Sequence, residues 1–128
     1  MKSFFPYTTA DNFPLERGIE MKNIHLIKEF GQTEDLEGDK KVTELFNGAF
    51  RRIVEVRLAN GGVLSRHHAA EPITVFCVSG TGSFLAGDEL QESIGLQSGT
   101  LITLEAGVVH EVRAEPALQL IVSKFKSA

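Results

Sequence analysis

The chain is poor in cysteine. Cys77 is the single one in 128 residues, which excludes an intramolecular disulfide framework and a multi-cysteine metal clip. It lies in the apolar run Ile73 to Val78 with no positive neighbour, so it reads as a small buried filler and not as a reactive thiol. Positive charge is also in deficit: 13 Lys and Arg against 17 Asp and Glu give a net charge of −4 and no basic field to attract nucleic acid or anionic lipid. No window reaches the apolar length of a membrane span, and the opening Met1-Lys-Ser-Phe-Phe-Pro stretch has no apolar segment long enough for an export signal. Nucleic acid and membrane are therefore excluded as expected partners, and a reducing cytoplasm is the expected compartment. Equally missing are a long amphipathic helix, a fixed-period repeat, a nucleophile beside its base, and a glycine-rich phosphate loop opening a helix.

What is present is β-type alternation. With 42% hydrophobic residues, the chain can build one core without staples, and one domain is expected. Residues 1–40 read as an N-terminal arm and first strand, and 41–128 as the barrel domain. The arm carries Phe4, Phe5 and Phe13 among Pro6, Pro14 and polar residues, a composition suited to packing on the barrel or on a second subunit. Ile24 to Ile27 reads as a strand, and the acidic stretch Gly31 to Lys41 as a loop. Lys41 to Phe46 and Phe50 to Leu58 alternate around the hairpin signal Asn47-Gly48, with Val54, Val56 and Leu58 on one face and Ile53, Glu55 and Arg57 on the other. Further short strands are expected at Val63 to His68, Ile73 to Val78, Ser83 to Ala86, Leu90 to Gly95, Gly99 to Leu104, Val108 to Arg113 and Leu118 to Phe125. About ten short strands at roughly ten-residue spacing point to an all-β antiparallel sandwich or closed barrel.

The residues that can carry chemistry fall at strand borders. Arg66-His67-His68-Ala-Ala-Glu71 and Val108-Val109-His110 place sequence-distant imidazoles where strands meet a barrel's mouth. Alternation allows only one of His67 and His68 to face the lumen along a regular strand, whereas a bulge presents both. An inward Arg66 would favour an anion, since a guanidinium grips a carboxylate or phosphate. Plainer readings stand beside these. His110 also suits a core or rim position satisfied by a backbone carbonyl, His67 and His68 suit an exposed loop, His25 suits a strand surface, and Glu71-Pro72 suits a strand-opening turn.

With those residues in view, the chain resembles a small single-domain member of the cupin superfamily. The second cupin motif runs glycine, five residues, proline, one residue, glycine, two residues, histidine, three residues, asparagine. Gly99, Gly107 and His110 hold that spacing, with Glu105 in place of the proline and Ala114 in place of the asparagine. The first motif matches in part: counting back from Gly80 puts Ile73 at the glutamate position, His68 at the second histidine and Arg66 at the first. The alternative register, one residue along, starts the pair at His67, with Ala69 second.

The resemblance implies an antiparallel double-stranded β-helix, a jelly roll, over about residues 42 to 125. It implies a homodimer. It further implies a divalent transition metal, iron, manganese, zinc, nickel or copper, with His67, His68 and His110 as candidate ligands, or a metal-free pocket, because the aligned carboxylate is missing. Two readings of function follow. One is a lumen that binds a small polar molecule between walls including Val54, Val56, Phe76, Phe84 and Leu104, oriented by the histidines and Arg66. The other is a metal-dependent dioxygenase, isomerase or lyase using His68 and His110. A cofactor-free isomerase with histidine as general base stands between them.

Overall fold

A computed structural model describes residues 22–28 and 36–127. The arm with Phe4, Phe5 and Phe13, and with it the subunit pairing expected through that arm, lies outside the described residues. Ile24 to Ile27, expected as a strand, is irregular and mostly exposed; no strand among the described residues pairs with it, and its His25 ring lies against Phe46 at 5.2 Å.

The described residues hold no helix. They form β1 (Lys40–Asn47), β2 (Arg51–Leu58), β3 (Val63–His67), β4 (Ile73–Ala86), β5 (Glu92–Leu96), β6 (Leu101–Leu104) and β7 (His110–Phe125). All pairings are antiparallel, in the order β1-β2-β7-β4-β5, with β3 joining β7 and β6 joining β4. The Asn47-Gly48 hairpin forms as read, with the Gly48 amide donating to the Arg51 carbonyl at 2.9 Å.

Fewer and longer strands replace the ten short ones. The Ser79-Gly-Thr-Gly82 stretch and Pro116, which fall between the expected strands, lie inside β4 and β7. The reason is local geometry: register shifts at Cys77/Ser79 and Gly80/Gly82 let β4 bend while it stays paired with β7. Gly80 has φ +94°, and a Cβ there would run into the Ala117 carbonyl, so only glycine lets the two strands bend together this closely. The first half of β4 therefore pairs with β6 and the second half of β7, while its second half pairs with β5 and the first half of β7. Two layers result, folded over one lumen and joined at the bend.

Alternation decides what fills that lumen. Val54, Val56 and Leu58 stand opposite Val122, Leu120 and Leu118, and β4 adds Val75 and Cys77, all buried. Burying each leucine contributes about 2 kcal/mol. The opposite face of the β2–β7 pair is buried too, although it carries Glu55, Arg57 and Gln119. There Gln119 Nε2 donates to Glu55 Oε2 at 2.8 Å, and the Ser79 hydroxyl donates to Gln119 Oε1 at 3.3 Å. No helix among the described residues is long and apolar enough to cross a membrane.

Candidate ligand site at the barrel mouth

The bend in β4 and β7 brings the start and end of β7 to the same end of the barrel, and this end carries the titratable groups. His110 opens β7, followed inward by Val112 and Ala114 on the same buried face. It reaches that position through the Glu105-Ala-Gly107 corner, where Gly107 takes φ +83° and its amide donates to the Ala69 carbonyl at 2.8 Å.

His67 arrives opposite His110 because β3 is irregular. Leu64 pairs with Val112, and the next pair is His67 with His110, so β3 spends one extra residue there. In a regular strand Arg66 would stand opposite His110. The bulge turns the Arg66 guanidinium instead to the Asp88 backbone carbonyl beyond the end of β4, and Arg66 is exposed there. His68 follows the end of β3 and is exposed, so His67 is the partner of His110.

The two imidazoles meet edge to face with centroids 4.2 Å apart, and His110 stacks on Phe84 at 5.6 Å with 8° between the rings. His67 is exposed, whereas His110 is only 4% exposed. Each ring is pinned by the same device: Nδ1 faces the carbonyl two residues earlier, Ser65 at 2.7 Å for His67 and Val108 at 2.9 Å for His110. A carbonyl only accepts, so each Nδ1 carries its proton and donates. In the neutral ring the lone pair then sits on Nε2. Burial pushes the His110 pKa below the ordinary value, against the Val108 carbonyl, which favours the charged ring; the charges of His67, Lys124 and His68 push it down further.

The facing layer contributes two cations that the sequence reading passed over. Lys124 stands opposite buried Ile73, and Arg52 opposite Lys124, so both share the lumen-facing phase of Leu118, Leu120 and Val122. Arg52 Nε donates to Glu44 Oε1 at 2.9 Å. The signal for Lys124 was present in the alternation of β7, where Leu118, Leu120 and Val122 precede it at every second position. Of the expected walls, Val54, Val56, Phe84 and Leu104 do face the lumen. Phe76 does not: it pairs with Ile121 and Leu101 on the outer face and is 42% exposed, one step out of phase with Val75 and Cys77.

No protein-family model matches the sequence, and no curated protein does. Solved structures match by shape. A conserved protein of unknown function from Streptococcus pyogenes superposes with a TM-score of 0.65 at 19% identity, covering 84% of this chain and 99% of the other. An RmlC-like cupin with a double-stranded β-helix fold from Methanocaldococcus jannaschii gives a TM-score of 0.66 at 18% identity, over 83% and 92% of the two chains. This chain has the cupin fold. An oxalate decarboxylase from Bacillus subtilis also matches, with a TM-score of 0.62 at 20% identity, over 71% of this chain and 26% of that one.

The cupin resemblance raises the question of a metal, and the donor set answers it. Resident catalytic metal ions are held by about three protein ligands. In this chain His67 and His110 come together, Ile73 is buried where the motif carries glutamate, and Glu71 sits half-buried in the turn before Pro72. Among the described residues, no three His, Cys, Asp or Glu side chains gather into a metal-holding group. Two imidazoles do not fit a resident metal ion.

Proposed function

We propose that this cupin barrel binds a small polar molecule at its mouth, with Phe84 and the His110 ring as an apolar platform and the histidine Nε2 atoms as hydrogen-bond acceptors. The observation that carries the reading is the matched tethering of both imidazoles through Nδ1, which presents Nε2 of each ring as the free atom. Such pre-organisation lowers the ordering cost of binding, and a few placed polar groups over apolar walls are what small-molecule sites share. Burial favours the uncharged form of His110, in which Nε2 accepts from a ligand O–H or N–H. A platform made of two stacked rings favours a ligand with a flat or apolar side.

The test is a ligand-observed NMR screen of hydroxy acids, sugars and their amides against the protein and its His110→Phe variant. Phenylalanine keeps the ring against Phe84 and removes both nitrogens. Hits are expected to weaken about tenfold in the variant, the worth of one lost hydrogen bond. Hits of unchanged affinity would overturn the reading.

A further inference from the structure

The inference rests on the ligand-binding reading above and specifies its ligand. Lys124 is half-buried and has the lumen-facing phase, opposite Ile73 of the core. The other lumen-phase cation, Arg52, is already engaged by Glu44, with which it forms an ion pair at 2.9 Å. Among the described residues the ion pairs are Arg52–Glu44 and Arg113–Glu111, so no carboxylate within 4.0 Å neutralises Lys124. An ammonium without a carboxylate partner, set beside apolar walls, leaves its charge available to pair with an anion brought into the mouth. Lys124 is also close enough to weigh electrostatically on His110 across the mouth.

We propose that Lys124 selects a monoanionic carboxylic acid, whose carboxylate pairs with the ammonium while a hydroxyl or amino group on the same molecule donates to Nε2 of His110 or His67. The charge count favours one carboxylate over a phosphate: among the described residues the mouth offers one lysine without a carboxylate partner and a buried histidine whose burial disfavours its charged form, whereas a phosphate dianion calls for several donors or an arginine fork. Lys124 thus takes the anion-holding role that the sequence alone suggested for Arg66.

The experiment follows the His67 and His110 imidazole resonances during titration with glycolate and lactate and, in parallel, with the neutral glycolamide and lactamide. The measurements use the protein and its Lys124→Gln and His110→Phe variants. In the unaltered protein the acids are expected to bind about tenfold tighter than the amides. That preference is expected to shrink as ionic strength rises. Lys124→Gln is expected to bring the acids down to the affinity of the amides. Equal binding of acid and amide in the unaltered protein, or an acid preference that survives Lys124→Gln, would overturn the carboxylate assignment. If in that case the amides still bind and weaken in His110→Phe, the ligand-binding reading stands without it. No response of either imidazole to any of the four probes would overturn both.

Discussion

His110 sits under two opposed demands, burial against the Phe84 ring and a carbonyl contact that favours its charged form, and burial wins. Its lowered pKa means the unfolded chain takes up a proton more readily than the folded one. Stability from this group is therefore present above its ordinary value of 6.5 and lost as pH falls through the lowered folded value. Thermal melts across that window should show a falling midpoint on acidification, and His110→Phe should flatten the fall. Glu55 works with the opposite sign. Its pKa is raised by burial, against the Gln119 hydrogen bond and the charges of Arg57 and Lys41, so its stabilisation holds below 4.5 and is lost as pH rises through the raised value. Glu55→Gln, which keeps an acceptor for Gln119, should raise the melting temperature at neutral pH and give no gain near about pH 4. At the ligand site, His67→Ala should weaken binding several-fold, while His68→Ala should leave it unchanged, as titration of the two variants with one ligand will show. The sequence singled out all three histidines but could not separate these two. The choice turns on one extra residue between Leu64 and His67, and the same residue takes Arg66 out of the lumen.

The bent β4–β7 pair is the element on which the site depends, since it sets His110 at one end of β7 and Lys124 at the other and folds both to the mouth. Gly80→Ala forces a side chain into φ +94° and against the Ala117 carbonyl. It should cost about 2 kcal/mol or more, read from denaturant melts, and should weaken ligand binding by spreading the two layers. Leu120→Ala empties a fully buried position on β7 without touching the bend and should cost about 3 kcal/mol. Strand phase was legible here in large part: the inward Val54, Val56 and Leu58 were read correctly from alternation. Strand length was not, because the glycines at 80 and 82 and Pro116 mark bends within paired strands, and a bend and a turn use the same residues. Phe76 was lost for a similar reason: an apolar run without polar alternation gives no phase of its own, and pairing decided it.

For the molecule as a whole, the fold was readable because two signals agreed, the alternating short apolar segments and the spacing of Gly99, Gly107 and His110, and solved cupins share the resulting shape. The site was readable only in outline, since sequence-distant groups such as Lys124 meet the histidines through topology. The donor set has a consequence at this scale. Chelator treatment should leave the melting temperature and ligand affinity unchanged, and elemental analysis of protein purified without a tag should find metal well below one equivalent. The most direct measurement is a long-range proton–nitrogen correlation spectrum of the histidine side chains, recorded above the ordinary histidine range and again with the tightest small molecule from the screen. His110 is expected as the Nδ1–H tautomer with a bare Nε2 whose resonance moves on binding. A proton on Nε2 of His110 in the free protein, or an Nε2 resonance unmoved by a bound ligand, would contradict the account.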